Sequence, residues 1–110
     1  MDIQPALVPR VAERLKALAD ENRIRLLLQL RDGPQRVTDL ASALGIAQAS
    51  ASKHLSVLRQ AGLVAVQRRG TEAIYCVHDT SIFELCDLVC GGVQRHIEEQ
   101  AAVLDAPNVQ

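Results

Sequence analysis

Residues 40–71 read LASALGIAQASASKHLSVLRQAGLVAVQRRGT, and this stretch decides the fold. It carries four basic side chains, Lys53, Arg59, Arg68 and Arg69, and no carboxylate. The whole chain sums to −1, so negative charge is kept out of this segment locally. A surface that meets a polyanion needs a positive local field, and net charge elsewhere can stay near zero. The pattern is helix, turn, helix and a short basic hairpin. Leu40, Ala41 and Leu44 mark the inward face of a short helix over 39–44, with Thr38 as its cap. Gly45 is placed to take the left-handed conformation that ends it. A second helix is predicted over Gln48–Gln60, with Ala51, Leu55 and Leu58 inward and Gly62 as its stop. Leu63–Val66 and Ala73–Val77 then read as two strands joined across Arg68-Arg69-Gly70-Thr71.

Upstream, Val11, Leu15 and Leu18 recur at helical spacing after Pro9 and predict a first helix over 9–18. Asp20 or Asn22 can cap a second, whose expected buried stripe is Ile24, Leu27, Leu28 and Leu30, ended by Gly33-Pro34. Downstream, Ser81-Ile82-Phe83-Glu84 matches a capping box and opens a long helix over 80–103, with Ile82, Leu85, Val89, Val93 and Ile97 as its stripe. Residues 1–6 and 105–110 are expected to fray. The order α-α-α-α-β-β-α is mainly α with a small β-hairpin wing, a winged helix-turn-helix. A single domain over 1–110 is expected, with 38–60 as the helix-turn-helix and 63–78 as the wing. Apolar terminal helices left over in so small a domain are usually buried by pairing, so 9–18 and 80–103 are the expected homodimer contacts.

Composition narrows the function. A chain of 110 residues holds one core of modest size. Its only aromatics are Phe83 and Tyr75, so the core must be aliphatic, and no stacking platform exists for single-stranded nucleic acid. No run approaches the ~18–20 apolar residues of a membrane span, and the charged N-terminal segment does not read as a secretory signal. A cytoplasmic location is expected. Residues 72–110 hold seven acidic side chains against one basic, Arg95, and should face away from a polyanion. No Gly-rich phosphate loop, paired carboxylates or Ser-His-Asp set is recognisable, which argues against an enzyme.

In a helix-turn-helix the N-terminal end of the second helix meets base edges in the major groove. Here that end carries Gln48, Ser50, Ser52, Lys53 and His54. Gln48 can pair bidentately with adenine, the serines can donate or accept, and Lys53 and His54 can reach guanine or phosphate. Arg68 and Arg69 suit flanking phosphates or the minor groove of double-stranded DNA. Arg23 and Arg25 read as surface charges.

Leu18-Ala19-Asp20-Glu21-Asn22-Arg23-Ile24-Arg25-Leu26-Leu27 resembles the opening signature of the ArsR/SmtB family of bacterial transcriptional repressors. Asp39-Leu40-Ala41, Leu44-Gly45, Ser52-Lys53-His54-Leu55 and Leu58-Arg59-Gln60-Ala61-Gly62-Leu63-Val64 resemble its reading unit. The resemblance runs over about Val11 to Leu88. It implies a homodimeric winged-helix repressor, paired through its first and last helices and released from a palindromic operator by a metal ion or other inducer. Two departures stand out. The Cys-x-Cys pair of arsenic sensors of the founding type is missing, its place taken by Arg36-Val37-Thr38-Asp39-Leu40. His78, Asp79, His96 and Glu99 resemble the ligand set of the zinc-sensing type, but the second pair is several residues out of phase.

Cysteines stand at 76, 86 and 90, an odd number that suits thiols or thiolate ligands better than disulfides. Cys86 and Cys90 are four apart on the last helix and so share a face. Two thiolates there can chelate a thiophilic ion, with a third ligand from Cys76 or from the partner subunit. Zn²⁺ normally takes four ligands; three thiolates suit As(III) or Sb(III), or Cd²⁺ or Pb²⁺. The expected inducer is therefore As(III) or Sb(III), with no cofactor needed for DNA binding itself. Redox or persulfide sensing by the same thiols, a ligand-independent repressor, and a winged-helix protein-interaction module are the alternatives. Gly91-Gly92 beside Cys90 costs about 1 kcal/mol per residue in a helix, which suggests a close helix crossing or a bend there.

Overall fold

The computed structural model describes residues 3–105, in a first unit up to Asp79 and a second from Thr80. In the first unit a 3-10 turn at Pro5–Leu7 leads into α1 (Val8–Leu18), so the chain is already wound where fraying was expected. The remainder of the expected fraying, at residues 1–2 and 106–110, lies outside the described residues. Then follow α2 (Glu21–Gln29), β1 (Gln35–Arg36), α3 (Val37–Leu44), α4 (Gln48–Gln60), β2 (Val64–Arg69) and β3 (Glu72–Val77). The second unit is α5 (Ile82–Asp105).

The core of the first unit is aliphatic, as a chain so poor in aromatics requires. Leu26, Leu27, Leu40, Leu55, Leu58 and Leu63 are fully buried, and Tyr75 is the one aromatic side chain with them. Each such leucine contributes about 1.5–3 kcal/mol on removal from water. On α2 the expected stripe is corrected. Leu27 and Leu30 are buried as expected, but Leu26 joins them, while Ile24 and Leu28 are exposed. The run Leu26-Leu27-Leu28 lets the apolar pattern take more than one helical phase, and packing against α3 and α4 selects one of them.

A second correction concerns α3. It starts at Val37, with Arg36 as an extended N-cap residue and Thr38 inside the first turn. The reason is a third strand that sequence reading missed: Gln35 and Arg36 pair antiparallel with Tyr75 and Ile74, giving the order β1-β3-β2. Two polar residues carry no alternation to reveal a strand. Gly45 closes α3 at φ 68°, in the left-handed region, and the Ile46 N–H returns to the Ala41 carbonyl at 3.1 Å.

Helix α4 has the expected bounds, and Ala51, Leu55 and Leu58 are its buried face. Gly62, at φ 78°, lets the chain reverse out of it. In the wing, Val64 pairs with Val77 and Arg69 with Glu72, leaving Gly70-Thr71 as the loop. Arg68 and Arg69 thus end β2; they are not the tip itself.

Helix α5 runs unbroken through Gly91 and Gly92 and two residues past its expected end, with the Ser81 carbonyl accepting from the Glu84 and Leu85 N–H groups. Of its expected stripe, Val89, Val93 and Ile97 are exposed within one chain, as are Leu88, Val103 and Leu104. In the first unit Leu7, Val11 and Leu15 form a second exposed apolar row at four-residue spacing. No helix among the described residues is long and apolar enough to cross a membrane.

Candidate nucleic-acid interface and thiol pair

After the Gly45 turn α4 packs against α3, and most of its N-terminal residues are exposed. Ala49, Ser50 and Lys53 are exposed there, beside Gln48 and Ser52. Gln48, Ser52, Ser56 and Arg59 follow one another at three- or four-residue intervals and so share a helix face. With Arg68 and Tyr75 of the wing they line a cleft of about 330 Å³. The structure therefore brings Gln48, Ser52 and Arg68 together, and adds Ser56, Arg59 and Tyr75. The sequence signal for Ser56 and Arg59 was the continuation of the Gln48-Ser52 spacing along α4; Tyr75, on β3, had none. Arg69 stands at the end of β2, exposed.

His54, also expected among the groove residues, faces the start of α2. It lies about 200° round the helix from Ser52. Its Nδ1 is 3.4 Å from Arg23 Nη1 and 3.9 Å from the Asp20 carboxylate. It packs on the start of α2 and does not line the wing-side cleft. It is half-buried between α4 and α2.

Several arginines outside the 40–71 segment are paired within the chain. Arg14 donates from Nε to the Ala61 carbonyl at 3.1 Å and from Nη1 to Asp79 at 2.9 Å, bracketing the end of α4 from α1. Arg23, expected on the surface, donates from Nε to the Ala17 carbonyl at 2.6 Å and from Nη2 to the Lys16 carbonyl at 3.3 Å. It thereby satisfies the open C-terminal carbonyls of α1. Arg25 pairs with Glu21 at 2.6 Å on the surface, as expected. Arg36 bridges Asp39 at 3.0 Å and Glu72 at 3.1 Å, and those carboxylates, Asp39 first, hold its guanidinium pKa above the usual value. Lys53, Arg59, Arg68 and Arg69 make no ion pair among the described residues. Carboxylates do come near the edges of this segment, Asp20 beside His54 and Glu72 across from Arg69, but none pairs with these four cations.

Asp20 is the electrostatic pivot beneath α4. Its carboxylate accepts the Arg23 backbone N–H at 3.1 Å, and this bond, with smaller help from the Arg23 and His54 charges, holds its pKa below the usual 3.8 against the opposing effect of burial. A carboxyl depressed by folding adds stability above its unfolded pKa and loses it as pH falls through the folded value. Asp20→Ala is therefore expected to lower the melting temperature at neutral pH, with the gap to wild type closing below about pH 4. Asp20→Asn, which keeps a capping oxygen, is expected to lose less. Thermal melts of the three proteins across that range check the prediction; a gap independent of pH would contradict it.

All three cysteines are thiols. Cys76 is half-buried on β3 opposite Ala65; Cys86 is half-buried and Cys90 exposed on α5. Along α5, Cys86, Cys90, Val93 and Ile97 follow at three- or four-residue spacing, so both thiols belong to the exposed apolar face. Among the described residues no three His, Cys, Asp or Glu side chains form a group placed to hold a metal ion. His96 and Glu99 line a shallow surface recess with Val103 and Leu104.

Three helices packed on a leucine core, the last with an exposed N-terminal end, followed by a β-wing, define the class as a winged helix-turn-helix of regulatory proteins. A family model described as "Bacterial regulatory protein, arsR family" matches residues 20–66. The HTH-type transcriptional regulator NmtR of Mycobacterium tuberculosis is 46% identical over 78 residues, 71% of this chain and 65% of NmtR. The HTH-type transcriptional repressor SmtB of the same species is 40% identical over 80 residues, 68% of this chain and 59% of SmtB. The homodimeric winged helix-turn-helix DNA-binding domain of Mb0332 from Mycobacterium bovis superposes with a TM-score of 0.76 at 33% identity, covering 90% of this chain and 92% of that one. The chain belongs to the ArsR family. It spans about three-fifths of the length of NmtR and SmtB. These relatives are named as regulators, not enzymes.

Proposed function

We propose that this protein is a homodimeric transcriptional repressor that binds a palindromic DNA operator and is released by a thiophilic inducer. The observation that carries the DNA-binding part is the exposed face of α4 and β2, where four cations lack internal partners while Arg14, Arg23, Arg25 and Arg36 are each neutralised within the chain. Cations held unpaired beside small residues suit phosphates and groove edges. Gln48, Ser50, Ser52 and Lys53 enter the major groove; Arg68 and Arg69 meet the flanking backbone or minor groove. His54 supports α4 from behind.

The second copy covers the apolar rows of α1 and α5, as the homodimeric Mb0332 domain supports. Two reading helices then stand about one helical turn apart, near 34 Å, to match a two-fold operator. Cys86 and Cys90 lie within the α5 row and so at the contact between copies. The pair supplies two thiolates, and a third comes from Cys76 or the partner subunit; such a set suits As(III) or Sb(III). Occupancy shifts the subunit contact to a spacing that mismatches successive grooves, and DNA must weaken inducer binding by the same factor. The protein works in the cytoplasm.

A salt-titrated mobility-shift assay on a palindromic promoter fragment tests the DNA-binding reading. The expected result is sequence-preferring binding whose logarithm falls steeply with the logarithm of salt concentration. A protein-interaction module would show neither property.

A further inference from the structure

We infer that the cleft between α4 and the wing seats one phosphate of the DNA backbone between Arg59 and Arg68, setting affinity without reading sequence. This rests on the DNA-binding reading above. The cleft is walled by Gln48, Ser52, Ser56 and Tyr75 with the two arginines, and none of its lining residues is a carboxylate. Neither guanidinium makes an ion pair among the described residues. Two unpaired cations on one small cleft repel each other, and an anion between them removes that cost. Ser56, three residues before Arg59 on the same face of α4, supplies a hydroxyl donor that a phosphate oxygen can accept, while Gln48 and Ser52 lie further along toward the base-reading end.

Arg59 sits in the last turn of α4, about 16 Å along the axis from Gln48. The N-terminal end of such a helix meets base edges, so a residue this far along faces the sugar-phosphate ridge. Arg68, on the wing strand, closes the cleft from the other side. Arg59 also sits favourably near the negative end of the α4 dipole, a structural role that would leave DNA affinity untouched.

The experiment measures binding of wild type, Arg59→Gln, Arg68→Gln and Arg59→Lys to a palindromic fragment and to unrelated duplex across a range of salt, with thermal melts to confirm folding. Either glutamine variant is expected to lose several-fold in affinity on both duplexes alike. The salt slope should fall by about one and the ratio between the duplexes should stay unchanged. Arg59→Lys should recover most of the loss. An unchanged slope in Arg59→Gln, with wild type binding normally, overturns the inference and leaves the repressor reading standing. A changed ratio between duplexes overturns it in favour of base contact. Calorimetric titration with inorganic phosphate separates the remaining source: binding to wild type but not to Arg59→Gln, with the DNA slope unaltered, assigns the cleft to a free anion and overturns the inference. Failure of wild type to bind any duplex overturns the underlying reading as well.

Discussion

With Cys86 and Cys90 both replaced by serine, the protein is expected to bind its operator as wild type does and to stay bound when arsenite or antimonite is added. Serine is close to cysteine in shape and keeps α5 helical, and neither thiol belongs to the carboxylate-free segment. DNA affinity should therefore change by much less than the inducer response, since oxygen for sulfur is a small change at the subunit contact. Inducer response is a coupling between two sites, and such couplings run at about 1–3 kcal/mol, or roughly 5–150-fold in operator affinity. The double variant should lose all of it. Titrating the protein–DNA complex with arsenite and following fluorescence anisotropy gives both quantities in one experiment. Normal release from the double variant would rule the thiol pair out. Cys76→Ser then decides the third ligand. Retained release assigns it to a group other than Cys76, and lost release assigns it to Cys76 of the same or the other copy. Release by peroxide in place of arsenite would favour redox sensing.

The second large effect is expected at Val93, which is 54% exposed within the chain, on the same α5 face as Ile97 at 58%. Val93→Glu adds a carboxylate to an exposed helical position, so each chain should still fold, with its melting temperature lowered only by the loss of pairing. At a two-fold contact each copy brings its own carboxylate to the same apolar patch, and the two like charges lose water together. The dimer dissociation constant should rise by at least about 100-fold, since like-charge juxtaposition costs several kcal/mol. Operator affinity should fall with it, because two linked half-sites become independent. Sedimentation velocity over a concentration series measures the first effect and anisotropy the second. A variant that stays dimeric at low micromolar concentration would place the contact on another face.

Both predictions concern surfaces whose partner is outside one chain, which is where reading the sequence was least secure. Helix α4 shows the opposite case. Ala51, Leu55 and Leu58 at helical spacing, with Gly62 as a stop, named its bounds and its buried face, because period and terminator were both unambiguous. On α2 the same reasoning misplaced Ile24 and Leu28, since three consecutive leucines fit several phases. The candidate site divides likewise. The absence of carboxylates over residues 40–71 was legible, but spacing alone could not tell which arginines would find partners.

The sequence by itself determined the order of elements, the aliphatic core, the two glycine turns around α4, and a basic segment set apart from the acidic tail. These are local properties: side-chain period, backbone permissiveness at Gly45 and Gly62, and charge along the chain. Tertiary structure alone decided that Gln35-Arg36 would become a third strand. It decided too that Arg14 and Arg23 would be spent on the carbonyls of neighbouring helices, and that His54 would turn toward Asp20. Most of those outcomes depend on groups dozens of residues apart coming together, and even the short reach of Arg23 back to Ala17 needs the turn between α1 and α2, so no side-chain period encodes them.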